Sequence, residues 1–200
     1  MDNNDLVQKF GYSEMYEWNN VPPMEFRLGR FVTFSKEDPA KIEPTSKKDQ
    51  YVIGVTTVNS ACDSDDPKEW RYKNICNEYG DMYLRKEKLA VGTKVYDQMN
   101  EISFIRTYPW EHLVPIENQY YRKDIKYVKR TQRQEWIRVN LMGKAVVFDD
   151  GTCKPGEWCT LYEGKIKELQ GSAVPAKEND INKFYVIERV SEKTILILNK

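Results

Sequence analysis

Near the amino end of this 200-residue chain, Gly11-Tyr12-Ser13-Glu14-Met15-Tyr16-Glu17-Trp18 sets two carboxylates three residues apart among aromatic side chains. A glutamate drawn partly out of water beside such rings becomes a better proton acceptor near neutral pH, and it then acts as general base or acid on a nearby peptide bond. Left in solvent, the same residues read as an aromatic strand or turn with outward-facing acids. His112 is the only histidine, and the adjacent Glu111 cannot face it as a triad partner would, so a packing or surface histidine is expected. No serine sits in a nucleophile elbow, no glycine-rich phosphate loop follows a strand, and no His-Glu-x-x-His pair occurs. The common hydrolase, kinase and dehydrogenase signatures are therefore excluded.

Two further groupings could carry chemistry. Cys153 and Cys159 flank Lys-Pro-Gly-Glu-Trp, a turn-rich loop that could bring them together; with Cys62 and Cys76 they make four cysteines, too few for a disulfide scaffold and without the spacing of a zinc knuckle. Reduced structural thiols are expected, with a local disulfide or half of a metal site as the alternative. From Tyr120 to Arg138, Arg122, Lys123, Lys126, Lys129, Arg130, Arg133 and Arg138 face only Asp124 and Glu135, with Tyr120, Tyr121, Tyr127 and Trp136 interleaved. Charge and stacking of this kind hold phosphates or single strands. A solvated face or a contact with an acidic neighbouring subunit is the preferred reading, so a nucleotide or nucleic-acid partner is not expected.

The chain that positions these residues carries 31 basic and 31 acidic groups, so no overall field draws it to nucleic acid or anionic membrane. Its mean hydropathy is low, yet 13 Tyr, 7 Phe and 5 Trp supply large apolar area, which marks a folded protein. No run approaches the ~20 apolar residues of a membrane helix, and Met1-Asp2-Asn3-Asn4-Asp5 is unlike a signal-peptide head. No membrane partner, metal or cofactor is expected.

Strands are expected at Phe31 to Phe34, Tyr51 to Val58, Leu141 to Phe148, Phe184 to Val190 and Thr194 to Leu198, all short and β-branched or aromatic. The last two, three residues apart, predict a terminal antiparallel hairpin. Asp150-Gly151 predicts a tight reversal after Phe148. Helical periodicity supports one or two short helices, and the segment between Asn59 and Asn77 reads as a surface excursion anchored by Trp70 and Tyr72. With no repeat and no long linker, the fold class is mainly β: a single compact antiparallel-sheet domain with long irregular loops.

The order of several segments resembles the carboxy-terminal intramolecular-chaperone, auto-cleaving domain of bacteriophage tail-spike and pre-neck appendage proteins. The resemblance rests on Gly11 to Trp18, Gly29-Arg30-Phe31-Val32-Thr33, Tyr51 to Thr57, Trp70, Glu78-Tyr79-Gly80, Tyr127-Val128-Lys129-Arg130, Glu135-Trp136, Leu141 to Cys153, Cys159 and the terminal hairpin. It implies a module that promotes homotrimeric assembly of a tail fibre or spike segment, in the host cytoplasm and then in the virion, and severs itself as a single-turnover peptidase. The break falls between Phe10 and Gly11, which divides the chain into an upstream segment, 1–10, and a chaperone-like β domain, 11–200. In that family the motif opens on aspartate; Gly11 stands there in this chain, while Glu14 matches the family's glutamate. Glu14 is thus the expected catalytic group, and a non-cleaving structural or trimerisation module is the alternative.

Overall fold

The computed structural model describes residues 11–48, 50–58, 62–64, 69–92, 94–96, 102–105 and 109–199. They fall into two compact units, one from the described parts of Met1–Asp66 and Val128–Lys200, the other from those of Pro67–Tyr127. The strands in chain order are β1 (Gly11–Trp18), β2 (Phe31–Phe34), β3 (Lys41–Pro44), β4 (Gly54–Thr57), β5 (Cys62–Ser64), β6 (Leu84–Leu89), β7 (Lys94–Tyr96), β8 (Ile102–Ile105), β9 (Trp110–Pro115), β10 (Trp136–Phe148), β11 (Trp158–Leu161), β12 (Ala173–Pro175), β13 (Phe184–Ser191) and β14 (Thr194–Asn199). The fold is mainly β, as the short aromatic and β-branched runs require. Helical structure among the described residues is four single 3-10 turns, at Met24–Phe26, Arg71–Lys73, Arg130–Gln132 and Lys167–Leu169, rather than the one or two helices expected. None is long and apolar enough to cross a membrane.

In the first unit a ten-stranded sheet runs β12-β11-β13-β14-β10-β4-β2-β3-β1-β5, and β10 also pairs with β1. Strands β1, β3, β2, β4 and β10 therefore close a ring. The thirteen-residue β10 serves both parts: Arg138 to Asn140 pair with β4, and Gly143 to Phe148 pair with β14. Most ladders are antiparallel; β1 runs parallel to β3 and β5. Gly54 is required where β4 crosses β10, because a Cβ there would lie 2.1 Å from the Asn140 carbonyl oxygen.

Two apolar clusters fill this unit. One joins Phe31, Val55, Ala145, Val147, Leu161 and Ile195 with their neighbours, including both Cys153 and Cys159. The other is Trp18, Val32, Ile42 and Val139, with Tyr16 and Ile137 packed against it. Arg30 is buried, its guanidinium 4.2 Å from the Phe148 ring centroid and 5.7 Å from that of Phe26, and burial lowers its pKa to about 10.

The terminal hairpin forms as the sequence predicts, β13 against β14. The reversal after Phe148 does not give a hairpin. Gly151 takes the positive φ of 92°, but the strand beside the end of β10 is β14, with Phe148 opposite Thr194. β14, buried along Ile195 to Ile197, covers more apolar surface at that position than the polar segment after Gly151 would.

Of the surface excursion expected between Asn59 and Asn77, Cys62–Ser64 instead joins the sheet as β5 beside β1, and the part from Pro67 onward falls in the second unit, Pro67–Tyr127, which holds the ladders β6–β9 and β7–β8. Trp70 stacks on Tyr72 and meets Tyr127 edge-on, and its indole N–H donates to the Ile125 carbonyl at 3.2 Å. These aromatics anchor the segment as their spacing suggested.

Candidate functional site: the Gly11–Trp18 strand

β1 is hydrogen-bonded on both sides. Against β10 its register sets Gly11 opposite Gly143, Tyr12 opposite Met142, Ser13 opposite Asn140 and Glu14 opposite Val139, with an irregularity between Tyr12 and Ser13. On the other side Tyr12 to Glu14 lie beside Cys62 to Ser64. Alternation then sorts the side chains. Tyr12, Glu14, Tyr16 and Trp18 share the face that leads into the second apolar cluster, and exposure falls along it from Tyr12, 36% exposed, to Trp18, 2% exposed. Glu14, half-buried, sits at the rim of that gradient.

Its carboxylate is held by both neighbouring phenols. Tyr12 donates its hydroxyl to Oε1 at 2.7 Å, and Tyr16 donates to Oε2 at 3.2 Å. Burial first, and then the Glu14 charge and hydrogen bond, push the Tyr16 pKa up to about 12. The arrangement fixes one carboxylate between two proton donors at the edge of an apolar interior, which is what an acid–base group needs for orientation.

Glu17 takes no part in a carboxylate pair. It lies three residues on, across the strand, where its register partner Lys41 binds it at 2.9 Å, and that contact raises the Lys41 pKa. Phe10, on the far side of the expected cleavage bond, lies outside the described residues.

The opposite face of β1 holds a feature that residue types alone did not single out. Ser13 and Asn140 are buried directly across the ladder from each other, and neither Ser13 Oγ nor Asn140 Oδ1 has a hydrogen-bond partner among the described residues. Asn140 Nδ2 donates to the Lys144 carbonyl at 3.2 Å, and Asn199 Nδ2 donates to the Asn140 carbonyl at 3.1 Å. No pattern within either strand marks this polar island, because it arises from the register between two distant strands.

The remaining candidates are dispersed. His112 on β9 pairs in register with Glu87, whose Oε2 is 3.7 Å from its Nε2, so its facing acid is Glu87 and not Glu111. The basic segment is divided between the two units at Tyr127. In the sheet unit Arg130 is buried with its guanidinium 3.8 Å from the Trp136 ring centroid, a packing role. In the other unit Arg122 is paired with Asp124 and Lys123 with Glu117. Among the described residues no three His, Cys, Asp or Glu side chains gather as a metal site.

The mainly β unit thus carries its glutamate motif on a strand paired along both edges. The chain matches the family described as Peptidase_G2, IMC autoproteolytic cleavage domain, over residues 4–193, and it belongs to that family. Two solved structures share its fold. One is the pre-mature bacteriophage phi29 gene product 12, with a TM-score of 0.65 and 20% identity over 96% of this chain and 22% of that one. The other is the gene product 12 C-terminal fragment, with a TM-score of 0.63 and 21% identity over 94% of this chain and 99% of that one. The chain thus spans about a fifth of the pre-mature protein and nearly all of the fragment. No curated protein matches significantly.

Proposed function

We propose that this chain is the intramolecular-chaperone domain of a phage tail fibre or spike, that it promotes trimeric assembly, and that it cuts the chain between Phe10 and Gly11 with Glu14 as the acid–base group. Residues 1–10 then belong to the upstream segment and 11–200 to the released domain. The observation that carries this reading is the placement of Glu14: its carboxylate is oriented by Tyr12 and Tyr16 on a strand whose first residue, Gly11, follows the scissile bond.

Geometry limits how Glu14 acts. At about 3.3 Å per residue in an extended strand, it lies roughly 10 Å along β1 from the Gly11 nitrogen, beyond the ~3 Å at which a base takes a proton. A water relay, or the Glu14 carboxylate of a second copy, must bridge the gap, and the second route ties cleavage to oligomerisation. Self-association is supported by the β6–β9 ladder, where Leu84, Trp110 and Leu113 are about half exposed. A two-stranded ladder with apolar residues in water is marginal alone and gains from a partner.

The experiment is an intact-mass time course on a longer chain carrying a fibre segment ahead of residue 1, with light scattering alongside. Restoring aspartate by Gly11→Asp should give a product beginning at residue 11, and adding Glu14→Gln should abolish it while leaving the trimer intact. Cleavage at an unchanged rate in the Glu14→Gln chain would remove Glu14 from the mechanism. Gly11 favours the second reading, a trimerisation module that keeps the fold without cutting; a stable trimer with no cleavage in any of these chains would establish it.

A further inference from the structure

The loop between β10 and β11 brings Cys153 and Cys159 together. Glu157 donates its backbone N–H to the Lys154 carbonyl at 3.2 Å, closing a turn with Pro155 and Gly156 at its centre, and Gly156 takes the φ of 83° that the second central position of a type II turn requires. The turn is pinned to β13: Gly156 donates to the Val186 carbonyl at 2.9 Å, and Val186 to the Glu157 carbonyl at 3.0 Å. On the other limb Cys153 N–H donates to Asp149 Oδ2 at 3.1 Å, and Arg189 donates to the Cys153 carbonyl.

The two side chains meet inside the main apolar cluster. Both are free thiols, 2% and 0% exposed, in the same buried cluster, and the neighbouring Cys159 together with burial pushes the Cys153 thiol well above its ordinary value. No third ligand joins them among the described residues, so the pair lacks the donor set of a metal site. The chemistry left to two thiols buried in one cluster is with each other. The five residues between them, Lys154 to Trp158, are all exposed.

We propose that Cys153 and Cys159 form an oxidisable pair that cross-links the base of the β10–β11 loop when the protein meets a disulfide oxidant. With glutathione disulfide, one cysteine thiolate attacks a glutathione sulfur and expels a glutathione thiolate. The second thiolate then attacks the protein sulfur of the mixed disulfide and expels the other. Two protein S–H bonds are lost, one S–S bond forms, and one glutathione disulfide is reduced to two thiols. The inference is independent of cleavage, because neither cysteine lies on β1.

The test uses the full chain incubated with glutathione disulfide, denatured, alkylated with iodoacetamide and digested with trypsin. Because Pro155 protects the bond after Lys154, residues 145–165 are released as one peptide holding both cysteines. That peptide should lack two hydrogens, carry no alkyl group and recover both sites after reduction. The thermal midpoint of the oxidised chain should rise by about 5 °C, as expected for a short closed loop. A Cys153→Ala chain should show no such rise. Two alkylated cysteines in that peptide after exhaustive oxidation, or pairing of either with Cys62 or Cys76, would overturn the proposal. Since the mass is read on the unaltered chain, the outcome does not depend on the variant folding.

Discussion

Replacing Arg189 by methionine should be among the most damaging single changes in the sheet unit. Its guanidinium donates to both oxygens of Asp149, Nη1 to Oδ1 at 3.1 Å and Nη2 to Oδ2 at 2.9 Å. It also donates to the carbonyls of Cys153, Ser191 and Glu192, tying the end of β10 to the terminal hairpin. Asp149 is fully buried, and without the guanidinium it keeps the Cys153 N–H at 3.1 Å. Methionine keeps most of the apolar stem, so the loss is one of charge and hydrogen bonds. Breaking a buried pair by removing one partner costs roughly 3 to 5 kcal/mol, and the Arg189 side chain, 28% exposed, places this pair near 3. With a urea slope of about 2 to 3 kcal/mol per molar for a chain of this size, the midpoint should drop by about 1 M at unchanged slope. Unfolding followed by circular dichroism and tryptophan fluorescence reads this directly. Adding Asp149→Asn should cost less than the sum of the two single changes, by about 1 to 3 kcal/mol. A loss under about 1 kcal/mol for Arg189→Met, or strict additivity with Asp149→Asn, would refute the claim that this pair locks the hairpin.

Gly54→Ala should destabilise by about 3 kcal/mol or more in the same assay, because the added methyl meets the Asn140 backbone oxygen of β10, which cannot rotate away. The Tyr16 phenol holds its proton to about pH 12 when folded, whereas an unfolded tyrosine loses it near 10. Between those values the unfolded chain binds fewer protons, so stability should fall as pH rises from about 10 to about 12, and Tyr16→Phe should flatten that decline in pH-dependent urea titrations.

What the sequence made legible follows from physical range. β-branched and aromatic content is local, so Phe31 to Phe34 and the terminal hairpin stand out, and residue spacing alone sets Glu14 on one face with Tyr12, Tyr16 and Trp18. Pairing is not local. The first half of β10, Trp136 to Leu141, alternates Ile137, Val139 and Leu141 with Arg138 and Asn140, a half-buried strand pattern that the expected strands left out; its partners β1 and β4 lie far earlier in the chain. The Asp150-Gly151 turn is legible as a turn, while its partner strand is decided by competition with a more apolar segment, β14. The Ser13–Asn140 island depends on a register that no single strand encodes. The second unit, 67–127, has no linker to announce it, because it leaves and rejoins the sheet between two strands.

The rung that joins Gly11, Gly143 and Asn199 across β1, β10 and β14 has a mechanical consequence. The chain enters β1 and reaches the end of β14 in the same row, two strand spacings or about 10 Å apart. Tension between those points, directed across the strands, loads the outermost rung alone and opens the ladders one pair after another. Tension drawn along β1 by a segment ahead of Gly11 loads all its rungs at once. The sheet therefore resists being dragged lengthwise far more than being peeled open from that end, and severing the chain ahead of Gly11 removes the lengthwise load without breaking a rung.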